Sequence, residues 1–117
     1  MDARKTLGAI GESLAADLYR KLGFKILDRN WRCNAGELDL VVATGALLVF
    51  CEVKTRSSDF FGSPAEAVGY AKQARLRRLA AAWMGEHHFG QRNVRFDVVS
   101  VLIGESKPQV THLPDAF

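Results

Sequence analysis

Gly36-Glu37-Leu38-Asp39-Leu40-Val41-Val42 and, past Gly45-Ala46, Val49-Phe50-Cys51-Glu52-Val53-Lys54 decide the reading of this chain. Both stretches read as strands, and both carry charges where a buried strand would carry Val or Ile. Gly45-Ala46 suits a two-residue type II′ hairpin turn, with glycine at the first central position. A turn there sets Asp39 opposite Glu52 and Glu37 opposite Lys54, and alternation puts Glu37, Asp39 and Val41 on one face. Directly opposed Cβ atoms lie about 5 Å apart, where like charges repel. A divalent cation with a lysine beside it offsets that repulsion, so the hairpin is expected to frame a Mg²⁺ or Mn²⁺ site. A solvent-facing hairpin with a cross-strand Glu37–Lys54 pair is the plain alternative; it leaves the Asp39–Glu52 opposition unexplained.

Working outward, Leu7, Ile10, Leu14, Leu18 and Leu22 form an apolar stripe that predicts a helix over residues 3–22, stopped at Gly23. Phe24 to Leu27 reads as a strand that could run on through Trp31. Residues 36–43 and 46–55 form the hairpin. Ser63-Pro64-Ala65-Glu66 reads as a capped helix start, Ser as N-cap and Glu closing a capping box. That helix is expected to reach Met84, with Val68, Leu76, Leu79, Ala80 and Trp83 facing the core and Gly85 ending it. Residues 94–103 read as a strand, and Gln109 to Leu113 as a short edge strand before a loose C-terminus. The order α-β-β-β-α-β, with a further β at the end, predicts an α/β domain: a mixed sheet flanked by helices.

The 117 residues suffice for one domain with a core, and a 48% hydrophobic, 25% charged composition is that of an ordinary globular protein. A net charge of +3 is compatible with nucleic acid without being diagnostic. Cys33 and Cys51 form neither a zinc pattern nor a disulfide framework. Cys51, on the strand face opposite Glu52, reads as a reduced core residue; Cys33, in a polar stretch, reads as exposed. No run is long enough to span a membrane and the start has no signal-peptide core, so a reducing cytoplasm is expected.

Glu-x-Asp on one strand and Glu-Val-Lys ending the next resemble the PD-(D/E)XK nuclease superfamily. Gly8-Ala9-Ile10-Gly11-Glu12, the Gly36–Val41 stretch and Phe50-Cys51-Glu52-Val53-Lys54-Thr55-Arg56 closely resemble the small bacterial YraN family, itself similar to archaeal-type Holliday junction resolvases. The resemblance spans about residues 7 to 102. It implies a restriction-endonuclease-like core and metal-dependent hydrolysis of phosphodiester bonds in DNA, branched DNA included. It makes Asp39 and Glu52 metal ligands with the Val53 carbonyl, Lys54 the catalytic lysine, and Glu12 the match of the resolvases' first-helix acid. Leu38 stands where the superfamily's named proline would be. Resolvase-like cutting of two strands needs two sites, which points to a symmetric homodimer.

Other residues invite two readings each. Glu12 is either a solvated helix residue or, with Gly8, Gly11, Ala15 and Ala16 letting the helix approach a sheet, a neighbour of the metal. Lys72, Gln73 and Arg75 at one helix edge, and Arg56 after the catalytic motif, are candidates for phosphate contact, against the usual solvated face. Trp31 and Phe60-Phe61 could stack on bases, with buried packing the commoner fate. Asp97 and Arg95 read as a structural pair; His87, His88 and His112 read as surface residues. The rival to the nuclease is a non-catalytic nucleic-acid-binding module of the same fold, and a protein-interaction domain is a third class.

Overall fold

The computed structural model describes residues 3–57, 69–89 and 93–117, with side chains from Thr6 onward. In chain order they form α1 (Ala3–Lys21), β1 (Lys25–Cys33), β2 (Gly36–Thr44), β3 (Leu47–Ser57), α2 (Tyr70–Glu86), β4 (Asn93–Ile103) and β5 (Gln109–Leu113). The strands make one mixed sheet in the order β1-β2-β3-β4-β5, antiparallel except for the central β3–β4 pair. A helix covers each face: α1 packs on Leu40, Val42, Val49, Cys51, Val99 and Val101, α2 on Leu38, Val41, Leu48, Phe50, Phe96 and Val98. This is the α/β mixed-sheet architecture expected from the element order.

Gly45-Ala46 makes the turn, and the β2–β3 register, Thr44 with Leu47 through Leu40 with Cys51, is the expected one. Gly45 has φ +53° while Ala46 is not among the positive-φ residues, the φ signature of type II′ rather than I′. The ladder ends at Leu40–Cys51, however, so neither Asp39 and Glu52 nor Glu37 and Lys54 pair across it as expected. Side-chain alternation also slips at Asp39. Leu38 and Val41 both face α2, while Leu40 and Val42 face α1. Glu37, Asp39 and Val41 therefore do not share one regular face. The slip lies opposite Asn30, a non-glycine residue at φ +54° that is missing from the β1–β2 register between Arg29–Leu40 and Trp31–Leu38. A second irregularity lies in β1 between Ile26 and Asp28, and β1 runs on to Cys33.

The fully buried face of α1 is offset from its leucine stripe, of which Leu14 and Leu18 pack, partly buried, against the same core. Gly11, Ala15, Ala16 and Tyr19 are buried, whereas Ile10 and Leu22 are 44% and 52% exposed. The small residues let the helix axis approach the sheet closely: a Cβ on Gly11 would overlap Thr55 Oγ1 on β3. The helix ends at Gly23 as expected. Phe24 N–H donates to the Tyr19 carbonyl (2.9 Å) and Gly23 N–H to that of Arg20 (3.1 Å), a Schellman motif.

The described part of α2 starts later than expected, at Tyr70, because Gly69 is extended (φ −80°, ψ 176°). Ser63-Pro64-Ala65-Glu66, Val68 and Phe60-Phe61 lie outside the described residues. Leu76, Leu79, Ala80 and Trp83 are the buried face, as their spacing implied. The helix runs through Gly85 to Glu86, and the left-handed residue beyond it is His88 (φ +56°), with Phe89 N–H donating to the Met84 carbonyl at 3.0 Å. The chain end is docked rather than loose: Ala116 N–H donates to the Phe96 carbonyl (2.7 Å), and Phe117 stacks on Phe96 at 5.3 Å.

Candidate functional site

The last ladder rung at Leu40–Cys51 opens onto a gap between β2 and β3, and the candidate residues gather there. Asp39 Oδ2 accepts a hydrogen bond from Val53 N–H at 2.8 Å, so a side chain closes the rung that the backbone does not. Within an extended strand the N–H and C=O of one residue face the same neighbour. The Val53 carbonyl therefore shares the gap with Asp39. Glu52, 8% exposed, points to the α2 side, where Lys72 Nζ lies 2.7 Å and Lys54 Nζ 3.5 Å from its Oε1. Two cavities meet at Asp39. One of about 350 Å³ is lined by Glu37, Asp39, Glu52, Lys72 and Arg75; the other, about 340 Å³, by Gly8, Glu12, Asp39, Val53 and Lys54.

The electrostatics follow from burial and proximity. Burial, then the charge of Glu52, pushes the Asp39 carboxyl up to about 7; the Val53 N–H bond works against this. Burial and then Glu37 raise Glu12. Burial lowers Lys54, and the neighbouring Lys72 lowers it further. Burial also opposes charge on Lys72, but its hydrogen bond to Glu52 wins and its pKa is raised. Among the described residues no three His, Cys, Asp or Glu side chains form a ready-made metal cage.

Sequence reasoning missed Asn30. With its amide turned so that nitrogen faces the acceptors, Nδ2 lies 2.9 and 2.7 Å from the two Glu12 oxygens and 3.0 Å from Glu37 Oε1. It ties α1 to the hairpin and brings Glu12 to the gap. The available signal was an asparagine, a residue that tolerates left-handed backbone, placed opposite Asp39. Glu37 pairs with Arg32 (2.9 Å), not with Lys54.

The expected phosphate contacts divide. Lys72 and Arg75 line the α2-side cavity. Gln73 and Arg56, both half-buried, are not among the residues lining either cavity. Trp31 packs against the α2-side core, edge-on to His87. Asp97 is fully buried and accepts from Tyr19 Oη (2.7 Å), Arg95 Nε and Nη2 (2.8 and 2.9 Å) and Asp115 N–H (3.0 Å), with His112 Nε2 at 2.8 Å. His112 is thus half-buried and structural rather than a surface residue, because β5 lays it over Asp97. His87 stacks on Trp83 at 4.2 Å and stays exposed. Cys51 is buried and Cys33 exposed, both unpaired, as expected.

Fold and site together define a small α/β protein with a carboxylate–lysine cluster where a central hairpin unzips. The model of an uncharacterised protein family, UPF0102, matches residues 11–101. The chain is 53% identical to a UPF0102 protein of Frankia casuarinae over the full length of both. It is 51% identical to one of Mycolicibacterium gilvum (96% of this chain, 94% of the relative) and 51% identical to one of an Arthrobacter species (97% of each). The chain belongs to the UPF0102 family, the YraN-like family its motifs resemble.

Proposed function

We propose that this protein is a metal-dependent endonuclease of the PD-(D/E)XK type that hydrolyses phosphodiester bonds in DNA, branched or junction DNA included. The observation that carries the reading is the meeting of Asp39, Glu52 and Lys54 where the β2–β3 ladder stops. The donors fit a hard cation. Asp39, Glu52 and the Val53 carbonyl offer only oxygen, and Mg²⁺ typically takes one or two carboxylates plus water and phosphate, which requires no cage of three acids. Burial and the charge of Glu52 raise the Asp39 carboxyl, a cost that a cation beside it would relieve.

Bound there, Mg²⁺ or Mn²⁺ would acidify a water and neutralise charge on the phosphate. Lys54, its ammonium 3.5 Å from Glu52 Oε1 on the α2 side, would stabilise the attacking hydroxide and the charge that develops on the phosphate oxygens. Lys72 and Arg75 hold phosphates on the α2 side, which adds affinity without sequence information. Glu12, held by Asn30, completes the acidic side of the gap. Two such sites in a homodimer would cut both strands of a junction. Two unpaired cysteines, and the lack among the described residues of any helix long and apolar enough to cross a membrane, suit work on DNA in the cytoplasm.

The Lys72 and Lys54 pairs with Glu52 favour one rival, a nucleic-acid-binding module whose lysines have replaced the metal for good. Mn²⁺ calorimetry and cleavage of duplex and four-way-junction DNA, on the parent and on Asp39→Ala and Lys54→Ala, separate the two. The nuclease requires Mn²⁺ binding that Asp39→Ala loses and cleavage that both variants lose. Salt-sensitive DNA binding without Mn²⁺ binding or cleavage establishes the rival.

A further inference from the structure

The proposed metal site contains a contact it does not require. Lys72 comes from a different element than Glu52, yet its ammonium lies 2.7 Å from the carboxylate, closer than the 3.5 Å of Lys54 two residues along the same strand. The helix does not explain this placement. Lys72 sits in the first turn of α2, which carries no acidic residue, and the macrodipole disfavours a cation there. Nor does the surface explain it, since Glu52 is 8% exposed and the Lys72 side chain 25% exposed.

Counting charge clarifies the role. Asp39 and Glu52 contribute two negative charges when ionised, and Lys54 and Lys72 two positive ones. These four groups then balance, and a divalent cation entering among them leaves +2, which the departure of one ammonium lowers to +1 and Glu12 across the gap offsets. Lys54 is fixed beside Glu52 by its strand. Lys72 stands on a flexible four-carbon stem at the wall of the cavity it shares with Arg75.

Resting on the metal reading, we propose that Lys72 is the resident cation of this site: it holds the place beside Glu52 that a divalent cation takes, and the cation's entry transfers Lys72 to a phosphate oxygen of the nucleic acid in the same cavity. Metal and phosphate then help each other to bind. The metal frees Lys72, and the phosphate gives Lys72 a partner in place of Glu52. By linkage the enhancement is the same in both directions. Alone, each binds weakly.

The test is Mn²⁺ titration by calorimetry of the parent, Lys72→Met, Lys72→Arg and Asp39→Asn, each shown to be folded by circular dichroism. Titrations are run without DNA and with a short DNA duplex. Lys72→Met should bind Mn²⁺ without DNA at least about tenfold tighter than the parent, the fold-change equivalent to ~1.4 kcal/mol. Lys72→Arg should stay near the parent, and Asp39→Asn should lose binding. Duplex should tighten Mn²⁺ binding in the parent and not in Lys72→Met. If Asp39→Asn loses binding but Lys72→Met binds no tighter than the parent, the proposal falls while the metal site stands. If Asp39→Asn binds as the parent does, or no variant binds, the metal site falls and this proposal with it.

Discussion

Two alanine substitutions one turn apart in α1 should have opposite signs. Gly8 and Gly11 both lie in the helix, where replacing glycine by alanine stabilises by about 1 kcal/mol through backbone entropy alone. At Gly8 a Cβ meets nothing within 4 Å, so Gly8→Ala should be more stable by that amount. At Gly11 the Cβ would overlap Thr55 Oγ1, and rotating the threonine gives no relief because Thr55 Cβ would lie 2.9 Å away and Cγ2 3.1 Å. Relief requires lifting α1 off β3, the overpacking that costs ~1–3 kcal/mol. The rigid Cβ contact puts the cost at the upper end, so Gly11→Ala should lose a net ~1–2 kcal/mol, and the two variants should differ by ~2–3 kcal/mol. Urea denaturation followed by far-ultraviolet circular dichroism reads this directly. With m of ~1–3 kcal/mol/M the two midpoints should lie roughly 0.7–3 M apart, with m unchanged. Because Glu12 adjoins Gly11, the lifted helix should also weaken Mn²⁺ binding in Gly11→Ala and not in Gly8→Ala. If Gly11→Ala gains stability as Gly8→Ala does, α1 does not press on β3 through Gly11 and Thr55.

Asp97→Ala leaves Tyr19 Oη and Arg95 without their buried acceptor, and urea unfolding should show a loss of about 3 kcal/mol. Burial alone would raise the Asp97 carboxyl, but its bonds from Arg95, His112 and Tyr19 hold it below the ordinary carboxylate range. Its stabilisation is therefore complete above the unfolded value and is lost as pH falls toward the depressed folded one, so acid unfolding curves of Asp97→Asn should lack that part of the parent's slope. His88→Gly removes a left-handed non-glycine residue from the end of α2 and should raise the thermal midpoint, by about 0.5–1 kcal/mol of added stability. Asp28→Ala removes the acceptor 3.0 Å from Trp83 Nε1; the same urea assay should show ~1–3 kcal/mol lost, with changed tryptophan fluorescence.

The hairpin was legible because Gly45-Ala46 admits a turn with one register, and that register determines what faces what down to Leu40–Cys51. Below that rung the sequence misleads. Alternation is a backbone rule, and the slip at Asp39 accompanies Asn30 in a left-handed conformation on the neighbouring strand, which no periodicity in β2 announces. The buried face of α1 was legible in part, since Gly11, Ala15 and Ala16 marked a close approach to a sheet, but the apolar stripe pointed elsewhere. Apolar patterning weights large side chains such as Ile10 and Leu22 above Gly11 and Ala15, yet close approach to a sheet selects for small volume. An unbroken helix from Ser63 was expected because the Ser63-Pro64 signal outweighed Gly69, whose extended backbone makes Tyr70 the first residue of α2. The site residues themselves stood out, since charge on a central strand is costly enough to be conspicuous. Lys72 stood out only as a candidate phosphate contact, and nothing in its spacing announced that it reaches Glu52.

The hydrogen bond from Val53 N–H to Asp39 bears on motion as well. Most amides of a central strand are closed by a neighbouring strand and exchange with solvent deuterium only when a stretch of sheet opens. The Val53 amide is closed by a carboxylate on a rotatable side chain, so turning one torsion exposes it while the sheet stays intact. It should exchange faster than its neighbours Cys51 and Glu52. Any ligand that takes hold of Asp39 will alter that rate, making this amide a spectroscopic probe inside the gap.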